Sequence, residues 1–164
     1  MKKIFKIRAA DKTDVPDILN FIKQLAEKNK SLNKLVVTEE LLSKYLFGSK
    51  IYAEVILGCI DQEPVSYAMF CYNFSTLYGK PALYLIDLFV LPEFRHQGIA
   101  QNLMSHLAAL AIKQDCCRID WSVLESNSIA TQFYNKIGAK KLAEWRIYRL
   151  EGNALNSLLN NNNE

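Results

Sequence analysis

Three apolar segments follow one another between Ile51 and Leu91 with only turn-length gaps between them. IYAEVILGCI (51–60) is followed by the turn DQEP, VSYAMFCYNFSTLYG (65–79) by the turn GKPA, and LYLIDLFVL (83–91) completes the run. Gaps this short cannot return the chain across a sheet, so the three strands form an antiparallel meander. Pro64 cannot donate to a ladder, which assigns it to the first turn.

Helical patterns flank the meander. Val15, Ile18, Leu19, Ile22, Leu25 and Ala26 recur at helical spacing behind a cap at Thr13 or Asp14, with Pro16 in the first turn. Thr38 caps a shorter helix with an apolar stripe of Leu41, Leu42, Tyr45 and Leu46 that stops at Gly48. KIFKIRAA before these helices reads as a strand. After Pro92, Ile99, Leu103, Leu107, Leu110 and Ala111 lie on one face of a long helix. CRIDWSVLE (117–125) is then a strand, NSIATQFYNKIG (127–138) a helix closed by Gly138, and KKLAEWRIYRL (140–150) a last strand. The order β-α-α-β-β-β-α-β-α-β defines an α/β fold with a mixed, mostly antiparallel sheet. A single domain is expected over 1–150, with 151–164 as a tail that starts as a helical turn and frays in its asparagine run.

Composition narrows the class of function. Twenty basic and 17 acidic residues leave a net charge of +3 with no basic stripe, which argues against nucleic acid. No apolar run approaches the roughly 20 residues of a membrane span, and the N-terminus lacks a signal h-region. A cytoplasmic protein is expected. Cys59, Cys71, Cys116 and Cys117 have no C-x-x-C spacing and read as free thiols. With only His96 and His106 available, no metal site is expected.

The stretch LFVLPEFRHQGIAQNLM ends a strand at a proline and restarts at once as a helix. The free N–H groups of a helix start converge with the positive end of its dipole, which suits a diphosphate. Gly98 lets such a ligand approach the backbone, Ala100 keeps the next contact small, and Arg95 adds charge. A tight turn containing a glycine is the competing reading. Neither a Walker-type loop nor G-x-G-x-x-G is present.

Arg95, Gly98 and Ala100 fall on the fixed positions of [RQ]-x-x-G-x-[GA] after a V-x-P-x-[YF] strand end, and Asn127, Ala130, Phe133, Tyr134 and Gly138 fall on a second motif, in ESNSIATQFYNKIGAKK. Together they resemble the GCN5-related N-acetyltransferase (GNAT) family over nearly the whole chain. Within it the chain resembles the diamine (spermidine/spermine) and thialysine N-acetyltransferases.

That resemblance implies acetyl-CoA as cofactor, with CoA as product. It implies a diphosphate on Arg95, His96, Gly98, Ile99, Ala100 and Gln101, and a pantetheine arm along the backbone of Leu88 and Val90. It also implies direct attack by a neutral amine, with Tyr134 protonating the leaving thiolate and Asn127 nearby. Tyr134 has a packing role beside Phe133 as its alternative, and Asn127 is also a helix cap. Those relatives carry an acidic pair in the central strand where this chain has Ile86 and Asp87, so Asp87 stands either as a catalytic carboxylate or as a structural one. Glu125, Glu27, Glu39 and Glu40 read as surface groups, and the strand aromatics as sheet packing with some open to an acceptor groove. The acceptor implied is a small polyamine, diamine or amino-acid-like amine, and the assembly a homodimer. An acetyl-CoA-binding module without turnover and a protein N-acetyltransferase are the alternatives.

Overall fold

The computed structural model describes residues 4–160. These fall into two compact units divided between Leu124 and Glu125. The first holds a five-stranded sheet in chain order: β1 (Phe5–Ala9), β2 (Glu54–Ile60), β3 (Glu63–Ser75), β4 (Lys80–Val90) and β5 (Ile119–Trp121). All neighbouring pairs are antiparallel except β4–β5, which is parallel. Three helices complete the unit: α1 (Val15–Lys28), α2 (Glu39–Phe47) and α3 (Ile99–Lys113). The mixed, mostly antiparallel α/β architecture expected from the meander is present.

Alternation along the strands sorts the core into two layers. Leu57, Tyr67, Met69 and Phe89 face one way and pack with Ile18, Leu19 and Phe21 of α1 and Leu42 and Leu46 of α2. Ile56, Ala68, Phe70, Leu83 and Leu85 occupy the alternate positions, and α3, with Leu103 and Leu107 fully buried, packs on β2, β3 and β4. All four cysteines are free, and Cys59 is buried.

Local chemistry departs from expectation at several points. The turn between β2 and β3 is Asp61-Gln62, both at positive φ (51° and 76°), and Pro64 lies inside β3 where the register shifts beside Cys59. A two-residue hairpin of this hand needs positive φ at both positions, and the irregular register spares Pro64 a ladder bond. Asp14 precedes α1 but does not cap it through its side chain. Its carboxylate accepts both terminal nitrogens of Arg8 at 2.6 Å and the Asp11 N–H at 2.8 Å. Asp11 instead accepts the Thr13 N–H at 2.8 Å and caps the short turn Lys12–Asp14. Thr38 caps α2 as expected, accepting the Leu41 N–H at 3.3 Å.

The second unit contains α4 (Ser128–Lys136) and α5 (Asn153–Asn160). Gly138 follows α4 at φ 88°, the left-handed conformation anticipated for it. Among the described residues the last strand expected over 140–150 is not formed: the second unit, taken by itself, holds helices and no strand. A strand exists only through its partner's hydrogen bonds, and the apolar positions here do not keep a strict period of two. The tail forms a full helix where a single turn was expected, and the asparagine run beyond residue 160 lies outside the described residues. Among the described residues no helix is long and apolar enough to cross a membrane.

The Arg8–Asp14 pair ties β1 to the start of α1. Hydrogen bonding from Arg8 is the largest influence on the nearly buried Asp14 carboxyl and holds it below its ordinary 3.8, against the opposing effect of burial. Its contribution is therefore complete above the unfolded value and is lost as pH falls through the lower folded value. Asp14→Ala should cost about 2 kcal/mol in urea unfolding at pH 7, and the difference from the parent should shrink as pH falls below about 4.

Candidate functional site

Strand β4 is held on both edges only over part of its length. Leu83, Tyr84 and Leu85 pair with Ile119, Asp120 and Trp121 of β5, while β3 follows β4 as far as Val90. Beyond Leu85 the two parallel strands part. At the same place β4 carries an extra residue: Met69 pairs with Asp87 and Phe70 with Leu85, leaving Ile86 as a bulge. A bulge bends its strand and shifts the alternation of its side chains. Asp87 is thereby turned to the Met69 face, opposite Leu85. Ile86 remains 42% exposed.

The parting leaves backbone groups of β4 without a strand partner among the described residues. The Leu91 N–H donates to the Val65 carbonyl at 3.0 Å and so faces β3. Alternation then turns the backbone groups of Leu88 and Val90 to the open edge. The Val90 carbonyl accepts from Arg95 Nε at 2.9 Å, and the Arg95 guanidinium lies 5.4 Å from the centre of the Phe89 ring. Arg95 is thus fixed onto the end of β4 at the entrance to the loop.

That loop is built by two left-handed residues. His96 has φ 61° and Gly98 φ 80°, and α3 starts immediately after Gly98. The first turn-to-turn bond of α3 runs from the Asn102 N–H to the Gly98 carbonyl at 3.0 Å. The amides of Ile99, Ala100 and Gln101 precede it and have no partner within the helix. A Cβ placed on Gly98 would meet nothing within 4 Å. The space beside Gly98 is therefore open. His96 and Gln101 are exposed on its rim, while the Ile99 side chain is buried in the α3 core. Ile99 therefore has only its amide to offer a ligand.

Lys28, at the end of α1, is a member of this region that sequence reasoning missed. Burial and then the charge of Arg95 pull its ammonium below the ordinary lysine value. Sixty-seven residues separate the two cations, and no motif joins them. An anion between them would relieve their repulsion.

Asp87 is mostly buried, and burial raises its carboxyl above the ordinary aspartate value. The Tyr67 hydroxyl donates to Asp87 Oδ2 at 2.9 Å and opposes that rise. Tyr67 was another miss; it stood among the packing aromatics of its strand. Beside the parting of the strands, the Tyr84 hydroxyl and Ser122 Oγ lie 2.9 Å apart.

In the second unit, Asn127 accepts the Ala130 N–H at 3.2 Å and caps α4. Tyr134, half-buried on that helix, packs against Phe133 with ring centres 5.4 Å apart. Burial raises its phenol above the ordinary tyrosine value, so it keeps its proton at neutral pH.

The fold is a mixed α/β sheet whose one parallel pair, among the described residues, opens ahead of the helix that starts after Gly98. The chain belongs to the acetyltransferase (GNAT) family, whose model matches residues 21–139. It is an N-acetyltransferase. It is 31% identical over 163 residues to a thialysine N-epsilon-acetyltransferase of Bos taurus, covering 93% of this chain and 95% of that one. It is 25% identical over 198 residues to L-ornithine N5-acetyltransferase NATA1 of Arabidopsis thaliana, covering 93% and 87%. Among solved structures, the V. cholerae integron cassette protein VCH_CASS6 superposes with a TM-score of 0.80 at 30% identity, covering 94% and 97%.

Gly98→Val should strain the left-handed position by about 1–2 kcal/mol and fill the cradle. Calorimetric titration with CoA should show affinity reduced by more than about tenfold. Unchanged affinity would remove the cradle from cofactor binding.

Proposed function

We propose that this enzyme transfers acetyl from acetyl-CoA to the primary amine of a small diamine, polyamine or amino-acid-like acceptor. The observation that carries this reading is the open edge of β4 running straight into the Gly98 cradle. Bound acetyl-CoA supplies an acetyl group activated as a thioester. The amides of Ile99, Ala100 and Gln101 hold its diphosphate, with Arg95 and Lys28 balancing charge and His96 at the rim. The backbone of Leu88 and Val90 receives the pantetheine arm as an added strand.

Asp87 takes a proton from the acceptor's ammonium, because a protonated amine has no lone pair with which to attack. Its raised affinity for protons suits it to that task. Tyr134 Oη keeps the proton that the leaving sulfur requires, and Asn127 holds the start of the helix that carries it. As a test, Tyr134→Phe should lower kcat by about 100-fold and leave CoA affinity within about twofold. Equal turnover would remove Tyr134 from the reaction.

The acceptor reading narrows at Ile86. An acidic side chain on this exposed bulge would attract a second cationic centre; an isoleucine does not. This supports acceptors of lower net positive charge than a polyamine, such as amino-acid-like diamines whose α-carboxylate balances one of their two ammonium groups. Thiol release from acetyl-CoA should be followed with ornithine, thialysine, lysine, putrescine, spermidine and small peptides. Amino-acid-like amines should exceed spermidine in kcat/KM by about tenfold, or about 1.4 kcal/mol. Acetyl-CoA binding without thiol release from any amine would instead identify a binding module.

The same reading takes 1–150 as one acetyltransferase domain with a tail, in a cytoplasmic homodimer with no role in binding nucleic acid or membranes. Trp145, Ile147 and Tyr148, exposed at 72%, 74% and 93%, offer apolar area for a second copy to cover. Sedimentation equilibrium at micromolar concentration should give twice the chain mass; a monomer would refute the dimer.

A further inference from the structure

We infer that Tyr67 is the positioning residue of the proton-accepting centre, holding Asp87 by one oxygen so that the other faces the acceptor amine. The inference rests on the reading of Asp87 as the group that takes the acceptor's proton.

Tyr67 lies in the middle of β3, is fully buried, and donates to Asp87 Oδ2 at 2.9 Å. A buried phenol in a sheet core needs a partner for its hydroxyl. This one is met by a carboxylate on the neighbouring strand and not by a backbone group. Two features of the fold bring them together. The bulge at Ile86 reverses the direction of Asp87, so that it shares a face with Met69 and hence with Tyr67. On the other side, Phe21 of α1 stacks on the Tyr67 ring, with centres 5.4 Å apart and planes 8° from parallel. The ring is thereby fixed, and the direction of its O–H with it. Without the extra residue Asp87 would point to the α3 side and Tyr67 would be left with an unsatisfied hydroxyl.

The chemistry of the contact is directional. A hydroxyl that donates to a carboxylate stabilises the ionised form, the form that accepts a proton. Tyr67 itself does not exchange the proton, because burial and the adjacent Asp87 push its phenol far above neutrality. It remains a donor throughout the working range. The groups facing Asp87 are few. From β3 it is Tyr67, and from α1 the uncharged Phe21 behind it. On the same face of β4, the Tyr84 hydroxyl lies 2.9 Å from Ser122. Burial and Tyr67 set the ionisation of Asp87, with no contribution from a charged side chain. The proton-accepting strength of this carboxylate is therefore raised by burial first and moderated by one hydroxyl.

The experiment uses Tyr67→Phe, which keeps the ring, its stacking on Phe21 and the packing volume. Carbon-13 NMR of aspartate-labelled protein without cofactor, in the parent and the variant, reads the Asp87 titration directly; Asp87→Asn assigns its signal. The midpoint should rise in Tyr67→Phe. The ratio of kcat/KM between variant and parent with one amine should then depend on pH. It should fall about tenfold on the acid side and return to within about twofold on the alkaline side. Because both proteins meet the same amine, the amine's own ionisation cancels from that ratio. A structural role alone would lower the ratio equally at every pH.

An unmoved NMR midpoint, or a pH-independent loss, overturns the role of Tyr67. If the midpoint moves but Asp87→Asn keeps full turnover, the base assignment falls instead, and the inference with it. If Tyr67→Phe does not fold, as judged by circular dichroism, Phe21→Leu replaces it. That variant keeps the hydroxyl but loosens the ring, and should move the midpoint in the same direction by less; an unmoved midpoint there also overturns the inference.

Discussion

Strand β4 shares hydrogen bonds with two neighbours up to Leu85 and with one thereafter. Most of the site depends on that loss of a partner. In a regular sheet the unpaired groups of a central strand would be a liability, since buried amides and carbonyls must be satisfied. Here the bulge at Ile86 bends the strand where the pairing stops, and the bared edge becomes a template for an extended ligand. One irregularity sets where the strands part, frees the edge at Leu88 and Val90, and chooses the face on which Asp87 appears. The antiparallel meander supports it: β3 pairs with β4 through the whole irregular region, so the departure from β5 does not dissolve the sheet.

The two ends of this strand treat charge in opposite ways. At the Arg95 end, cations gather with little to neutralise them. Arg95 is committed through Nε to a carbonyl, and Lys28 is weakened by its presence. In the proposed reading these cations and the first amides of α3 face the same anion. At the Asp87 end a single carboxylate is withdrawn from water and steadied by one hydroxyl. Desolvation raises its affinity for protons, and Tyr67 limits that rise. An exposed carboxylate would be too weak a base at neutral pH, and a buried one without a donor would stay protonated.

The fold was legible in large part because the meander and both long helices obey strong periodicities. Residues 99–111 and 15–26 announce their buried faces directly, and Gly98 and Gly138 sit where positive φ is required. The physics that escaped the sequence is mostly pairing between distant residues. Nothing in VSYAMFCYNF distinguishes Tyr67, whose hydroxyl meets a carboxylate, from the aromatics that only pack. Nor does the local pattern show that Ile86 is extra, since a bulge is a property of two strands. Asp14 illustrates the same limit on a smaller scale. Its position before a helix suggests a cap, yet a guanidinium on β1 outcompetes the helix amide for its carboxylate. The segment 140–150 fails in the other direction: it has strand-forming residues, yet within its own unit no strand is formed among the described residues.

A division of labour follows from which atoms do the binding. In the proposed reading, the cofactor side consists chiefly of backbone: the edge of β4, the amides at the start of α3, and the space beside Gly98. Side-chain substitutions leave such groups in place so long as the backbone keeps its course, with Gly98 the chief exception because its missing side chain is itself the feature. The proposed acceptor side consists of side chains on one short span, from Tyr84 through Ile86 to Asp87. The bulge itself lies between two stretches of regular pairing with β3, Phe70 with Leu85 and Met69 with Asp87. The scaffold can therefore keep its means of holding an acyl carrier while its choice of amine changes at a single exposed position. In the proposed reading, an isoleucine at that position leaves one carboxylate on this span, Asp87, held by Tyr67.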